Sequence, residues 1–494
     1  MLLLGIDVGT SSIKVSIVDA DTQQCIAAAQ YPETEVGISS PQAGWAEQSP
    51  DEWWLNVQEA ILRAHASKKY DPADIGAIGI AYQMHGLVMV DRDQQVLRPS
   101  IIWCDSRAVE TGNAAFEAIG EKRCLSHLLN SPGNFTASKL AWVKQNEPGV
   151  YEKADRFMLP GDFIAMKLTG SITTTISALS EGIFWDFAKQ ELSADVFDYY
   201  KLDRSLVPET RKLFSDHGGL ETDIAHKLKL RPNIPVSYKA GDQLNNALSL
   251  NVLQPGEVAA TAGTSGVIYS VSDTLAYDRQ SRVNSFAHVN HTSGQARIGV
   301  LLCINGTGIM NSWAKNITGG QLGYPQMNEA AKKIPVGSDG LTVLPFGNGA
   351  ERMFNNATVH AHLQQIDLNK HSSAHVFRAV QEGIACSFRY GLDIMRENGM
   401  NPSIIRAGRA NLFLSDVFTE AFVNATGVPV ELYACDGSVG AALGAGIGAG
   451  IYSSEAEAFT NMKRLQLIEP ANSVAYAGLY QQWKHLLEQQ IKQA

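Results

Sequence analysis

One short pattern, present twice, constrains this chain more than any other feature. Leu4, Ile6 and Val8 alternate with small or polar residues, Gly9-Thr10-Ser11-Ser12 interrupts the run, and Ile13, Val15 and Ile17 alternate again. Period-two apolar patterning on both sides of a small polar turn predicts strand, turn, strand. Half the chain further on, the stretch 258–270 repeats the pattern around Gly263-Thr264-Ser265. Gly-Thr-Ser is a common turn, and two copies can arise independently. The matching flanks favour the other reading: two related domains, each opening with the same supersecondary unit. Leu253-Gln254-Pro255-Gly256 is a turn signal just ahead of the second copy. It predicts a boundary within 245–257 and two domains, over 1–248 and 249–494.

Composition limits the function classes. Hydrophobic residues make up 45% of the 494 and charged residues 18%, a globular balance that excludes a disordered chain or a coiled coil. Fifty acidic against 40 basic residues give a net charge of −10, with no basic run. A nucleic-acid binder that neutralises many phosphates has the opposite balance, so no nucleic-acid partner is expected. Six scattered cysteines without a C-x-x-C pair point to reduced thiols in a cytoplasmic protein, not to zinc or disulfides. The opening residues lack a basic leader and meet Asp7 too early for a signal peptide. The softest stretch, 439–452, is too short to span a bilayer, which takes about 20 residues, so no membrane partner is expected.

Elsewhere the patterning predicts a helix over 51–65, capped by Ser49 or Asp51, with Trp54, Val57, Ala60 and Ile61 on one face. Strands are expected over 75–90 and 101–103, and helices over 138–145 and 374–397.

Four stretches can carry chemistry. In Asp7-x-Gly9-Thr10-Ser11, a tip of glycine and hydroxyl residues can aim N–H and O–H groups at a phosphate, and Asp7 can hold a hydrated Mg²⁺ beside it. The alternative is an ordinary turn whose Asp7 serves local N–H groups. The second tip, Gly263-Thr264-Ser265, strengthens the phosphate reading. No P-loop motif is present. Gly241-Asp242-Gln243 follows a strand-like run. Asp242 is either an N-cap or a general base for a substrate hydroxyl attacking phosphorus. Gln83-Met84-His85-Gly86 ends another strand, where Gln83 and His85 suit polyol hydroxyls and Met84 a sugar face; a lone histidine also serves structure. Trp103, Asp105 and Arg107, and Trp45, Glu47 and Gln48, are two more polar-aromatic sets that suit either a polyol or a surface. Lastly, Ala407-Gly408-Arg409-Ala410-Asn411 can bring backbone to a flat base. The small residues of 437–446 suit close helix packing.

In order and spacing, these motifs resemble those of the FGGY carbohydrate kinases. Gly44-Trp45-Ala46-Glu47-Gln48, Ile102-Trp103-Cys104-Asp105-Ser106-Arg107, Thr136-x-x-Lys139-Leu140-x-Trp142, Gly349-Ala350-Glu351-Arg352 and the run from His375 to Glu382 extend the likeness over nearly the whole chain. The resemblance implies an α/β fold of two ribonuclease-H-like, actin-like ATPase domains with a catalytic cleft between them. Sugar would bind to the first domain and ATP to the second. It implies Asp242 as the base, Asp7 as the Mg²⁺ residue, and Thr10 near the transferred phosphoryl group. Met84, His85 and Gln243 would contact the sugar, with Gln83, Trp103 and Asp105 beside them. Gly9, Thr10, Ser11, Gly263, Thr264, Gly308, Gly408 and Asn411 would contact the nucleotide.

Three positions depart from the family pattern. Arg406-Ala407-Gly408-Arg409-Ala410-Asn411 stands where a run of glycines is usual, Gln243 follows the base where Asn is common, and Cys104 replaces an Asn. Arg406 or Arg409 would stack on the base, pair with phosphate, or change the preferred donor. The implied activity is ATP-dependent phosphorylation of a ketopentose, D-xylulose at O5 first. The alternatives are another polyol kinase (ribulose, gluconate or glycerol), a non-catalytic sugar- and nucleotide-binding regulator, and an ATPase of the actin or chaperone type. The partners implied are a small sugar and ATP, with a homodimer allowed by the resemblance.

Overall fold

The computed structural model describes residues 1–318, 320 and 322–493. Both predicted hairpins form. Leu2–Val8 pairs antiparallel with Ile13–Asp19, and Glu257–Ala262 with Gly266–Ser272. The expected helices appear at Pro50–Ala66, Thr136–Asn146 and Ser373–Glu397. Ser49, not Asp51, caps the first of these through the N–H of Glu52. The single strand expected over 75–90 is two, Ile75–Tyr82 and Val88–Val90. His85 between them adopts a left-handed backbone at φ 61°, which ends the ladder.

The chain forms two compact units, crossing first between Leu253 and Gln254. The first unit contains 1–253 together with Phe286–Ile298 and Asp436–Met462. Its sheet has five strands in the order Val236–Gly241, Ile75–Tyr82, Leu2–Val8, Ile13–Asp19, Cys25–Tyr31. The first three are parallel and the last three antiparallel. Alternation along a strand gives the sheet two faces. Leu4, Ile6 and Val8 join Trp53, Trp54, Val57 and Ile61 of the Pro50–Ala66 helix in one core; burying each such side chain contributes about 1.5–3 kcal/mol. Gly5 and Gly79 lie against the Gly437–Gly448 helix, where a β-carbon on either would strike the helix carbonyls of Ser438 and Ala441. That helix answers with its own small residues, Gly444 lying against Tyr238 and Gly448 against Ser237. The small-residue stretch is therefore a packing face, and it explains why a segment so late in the chain belongs to the first unit.

The second unit contains Gln254–Ser285, Gly299–Cys435 and Lys463–Ala494. Glu257–Ala262 lies between its hairpin partner and the parallel strand Ile404–Gly408, which in turn pairs parallel with Val430–Tyr433. This repeats the connectivity of the first sheet: hairpin, then two parallel strands beside its first arm. The long Ser373–Glu397 helix packs against Asp416–Thr426, and Phe388, Phe413, Phe418 and Phe422 form an aromatic cluster there.

Candidate active site

In the first unit, Asp242 is the first residue of the Asp242–Ser249 helix that follows the Val236–Gly241 strand. The cap position belongs to Gly241, so Asp242 is not an N-cap. Glycine is required at 241 because a β-carbon there would lie 2.7 Å from both Glu181 Oε2 and Met84 Cγ. Burial and the negative charge of Asp7 push the Asp242 carboxyl up to about 7, against opposing hydrogen bonds from the backbone and side chain of Gln243. Asp7 is pushed up to about 6 by burial and by Asp436, with Lys14 across the hairpin working the other way. Asp436 caps the Gly437–Gly448 helix, and no β-carbon would fit on Gly437 beside Asp7 Oδ2. Hard carboxylate oxygens crowded by like charge suit a divalent cation, whose arrival would relieve the repulsion. Among the described residues no group of three or more His, Cys, Asp or Glu side chains forms a metal cage.

The Thr10 turn is held by a chain of amides. Thr10 Oγ1 donates to Gln83 Oε1 at 3.2 Å and accepts from Trp103 Nε1 at 3.0 Å. Gln48 Nε2 donates to the Thr10 carbonyl at 2.8 Å, and Gln48 Oε1 accepts from Gln83 at 3.0 Å and from Trp53 Nε1 at 3.1 Å. Gln83 is buried with both ends of its amide engaged, so it serves the turn. Trp103 stays half exposed beside Thr10. Gly9 sits at the bend, and Ser11 is exposed with its carbonyl accepting from Val36 N–H.

Met84, beyond the neighbouring strand end, packs against Gly241, the residue before Asp242, and His85 follows it. The imidazole lies edge-on to Phe135 at 4.8 Å between ring centres and 5.4 Å from Phe286. The backbone N–H of His85 donates to Glu181 Oε1 at 2.7 Å, and its backbone carbonyl accepts from Lys139 Nζ at 2.8 Å. Burial pushes the Glu181 carboxyl well up and the Lys139 ammonium down to about 7. Asp105 is a correction. It is fully enclosed, its carboxylate accepting from Ala46 N–H at 2.6 Å and from the Arg107 guanidinium at 2.7 Å. Arg107 also pairs with Glu47 and stacks on Trp45 at 3.8 Å. Trp45, Glu47, Asp105 and Arg107 thus form one structural cluster, leaving Asp105 nothing to offer a substrate.

The second unit carries a cavity of about 790 Å³ whose walls include Gly263, Thr264, Gly308 and Asn411. Gly308 N–H donates to the Gly263 carbonyl at 2.9 Å and Ile309 N–H to the Thr264 carbonyl at 3.0 Å, seating the Gly308–Ile317 helix on the hairpin tip. Tyr324, Asn328, Lys332, Leu414 and Asp416 line the rest. Gly408 is absent from the wall and faces Cys435. Arg406 pairs with Glu257 and Glu431, both at 3.0 Å, and Arg409 is exposed away from the cavity. Neither arginine is part of the cavity wall, and Arg406 is held over its strand by the two carboxylates. Behind the loop, buried Glu351 accepts from the N–H groups of Asn305 at 3.0 Å and Gly306 at 3.1 Å.

Sequence reasoning assigned no role to Glu181 or Asp436. Glu181 carries no local signal, since its partners lie about a hundred residues away. Gln48 stood within a set read as suiting a polyol or a surface, not as a support of the Thr10 turn.

Two α/β units of one connectivity, each opening on a Gly-Thr-Ser hairpin, define the actin-like ATPase architecture. A model of the N-terminal domain of the FGGY family of carbohydrate kinases matches residues 2–249, and the chain belongs to that family. It is 28% identical over 448 residues to the xylulose kinase of Klebsiella pneumoniae, covering 90% of this chain and 88% of that protein. Against the xylulose kinase of Escherichia coli (strain K12) it is 27% identical over 445 residues, with the same coverage. The crystal structure of xylulose kinase from Rhodospirillum rubrum matches with a TM-score of 0.88 at 25% identity, over 99% of each chain. The protein is a carbohydrate kinase, and ATP is its phosphoryl donor. Among the described residues no helix is long and apolar enough to cross a membrane.

Proposed function

We propose that the chain transfers the γ-phosphoryl group of ATP to O5 of D-xylulose, with the sugar held by the first unit and ATP in the cavity of the second. The observation that carries the mechanism is Asp242, a carboxylate with a proton affinity near neutrality, at a strand end where Met84 packs against the preceding Gly241. A general base works best when its pKa lies near the working pH. Asp242 takes the O5 proton as O5 attacks phosphorus. The O5–P bond forms, the bond from Pγ to the bridging oxygen breaks, and ADP leaves. Met84, His85 and Gln243 orient the sugar, which matters because phosphoryl transfer is mostly positioning and charge stabilisation. Thr10, tied to Trp103 and Gln83, fixes the turn so that the Gly9 and Ser11 backbone is presented to the phosphoryl group. Gly263, Thr264, Gly308 and Asn411 hold the nucleotide.

Asp7, with Asp436 beside it, would hold Mg²⁺, which neutralises phosphate charge when bound. The curated relatives' names carry the choice of xylulose. A cytoplasmic setting suits the exposed thiols of Cys25 and Cys104. A homodimer rests on the family resemblance alone.

The test is ADP release by the purified protein with Mg-ATP over D-xylulose, D-ribulose, L-ribulose, gluconate and glycerol, with Asp242→Asn alongside. The strongest response is expected with D-xylulose and is lost in the variant. A stronger response to another polyol would replace the sugar, and ADP release indifferent to sugar would remove the kinase reading.

A further inference from the structure

His85 is held in a way that a merely structural histidine does not need. A non-glycine residue in the left-handed region is strained by about 1–2 kcal/mol, so something must hold it there. Both of its own peptide groups are seized. Glu181 Oε1 takes the N–H at 2.7 Å, while Lys139 Nζ donates to the carbonyl at 2.8 Å and to the Ile102 carbonyl at 3.0 Å. Glu181 and Lys139 are both 0% exposed. Taking a carboxylate and an ammonium out of water is expensive, and the usual return is a salt bridge between them. Here the two groups form no such bridge; each is directed at a peptide group of His85, Lys139 also at the Ile102 carbonyl and Glu181 also at Tyr82 and, at 3.8 Å, at the His85 Nδ1. Glu181 also reaches the other half of the site. Its Oε2 accepts from Tyr82 Oη at 3.4 Å and lies where a β-carbon on Gly241 would have to go, next to Asp242.

We propose that Glu181 and Lys139 are positioning residues that clamp the His85 backbone and so set where its imidazole meets the sugar relative to Asp242. The inference rests on the sugar site of the proposed function and adds its supporting pair. Glu181 ties the end of the Ile75–Tyr82 strand to the Gly241–Asp242 junction, and Lys139 ties the same end to the Ile102 carbonyl. The imidazole, wedged by Phe135 and Phe286, then has one orientation. Losing either clamp frees the peptide to leave the left-handed region and carries the ring with it. The substrate that senses this is the polyol; ATP, held by Gly263, Thr264, Gly308 and Asn411, does not.

The experiment is steady-state kinetics on the full chain for Glu181→Ala, Glu181→Gln, Lys139→Met and His85→Ala, with thermal melts to confirm folding. Glutamine keeps an oxygen for the His85 N–H, so it separates the hydrogen bond from mere occupancy. The expected result for Glu181→Ala and Lys139→Met is a sugar KM raised by about tenfold to a hundredfold, the size of effect a small misplacement produces, with the ATP KM within about twofold. Glu181→Gln should recover most of the sugar KM. In a His85→Ala background Glu181→Ala should add little, because both act on the same contact. Equal rises in both KM values, no rescue by glutamine, or full additivity with His85→Ala would overturn the proposal. If Glu181→Ala does not fold, Lys139→Met and its combination with His85→Ala are read by the same criteria. If the wild type turns over no sugar, the proposed function fails separately. The clamp is then read from sugar affinity in tryptophan fluorescence titrations across the same panel and variants, and unchanged affinity in all of them would overturn it.

Discussion

The N–H of Gly308 donates to the carbonyl of Gly263 at 2.9 Å, and a β-carbon on Gly308 would run into that same oxygen. The two glycines bring two loops into backbone contact at the wall of the cavity, leaving no room for a side chain between them. Gly308→Val must push the Gly308–Ile317 helix off the hairpin tip. The ATP KM should rise by about a hundredfold, as for a misplacement of about 1 Å, while the sugar KM stays put. Steady-state kinetics with each substrate varied in turn check this.

Glu351 supports the same loop from behind, its buried carboxylate taking the Asn305 and Gly306 N–H groups. Glu351→Ala leaves both donors unpaired and should destabilise the fold by about 1–3 kcal/mol. The ATP KM should rise with the sugar KM unchanged. Urea unfolding and kinetics together test it; a rise in the sugar KM alone would separate Glu351 from the nucleotide loop.

Asp242→Asn keeps the shape of the side chain and removes the proposed base. Turnover should fall by about 10²–10⁴-fold, the usual contribution of general-base catalysis, with a native circular dichroism spectrum. A variant within a few fold of wild type would take Asp242 out of the base role.

Activity and stability should respond to pH in opposite directions. Burial raises both carboxyls, helped by the charge of Asp436 at Asp7 and of Asp7 at Asp242, to about 6 and about 7 from an unfolded value of 3.8. The folded protein therefore holds protons that the unfolded chain has released, and their contribution to stability is lost as pH rises from about 4 through 7. Activity needs the charged base, so kcat/KM for the sugar should climb over the upper part of that window; the two carboxyls titrate as a pair. Asp242→Asn should melt above wild type at pH 8, and the gap should close at pH 5. Calorimetry at the two values decides it, an equal gap at both counting against the like-charge account.

Asp7→Asn should leave the sugar affinity intact and raise the Mg²⁺ concentration for half-maximal rate by at least about tenfold, the scale seen when a metal site is weakened. An Mg²⁺ titration at saturating ATP reads this directly. An unchanged curve at full rate would dismiss Asp7 as the metal residue.

Much of the architecture was legible locally. Alternation around Gly9-Thr10-Ser11 and Gly263-Thr264-Ser265 determines two hairpins whatever surrounds them, because period-two burial suits only a strand. Asp242 stood out because it heads a helix after a strand, a position that the chain's local pattern already specifies. Asp105 misled for the converse reason. Its setting in Trp103-Cys104-Asp105-Ser106-Arg107 looks like a polyol subsite, but its carboxylate is taken by Ala46 and Arg107, and Ala46 comes from a distant part of the chain. Arg406 misled similarly, since only the neighbouring strands supply Glu257 and Glu431.

By itself, then, the sequence determined the two hairpins, the helices with a clear apolar face and the motif residues Asp7, Thr10, Met84, His85 and Asp242. These depend on periodicity and on neighbours a few residues away. Only the tertiary structure decided which polar residues are spent on the protein itself. It assigned Gln83 to the Thr10 turn, Asp105 to Arg107, and Glu181 and Lys139 to the two sides of His85. It also returned the Gly437–Gly448 helix to the first sheet through glycines on both surfaces. The physical reason is common to all of them: a buried polar or close-packed group is defined by the partner that satisfies it or leaves it room, and here that partner lies tens to hundreds of residues away in the chain.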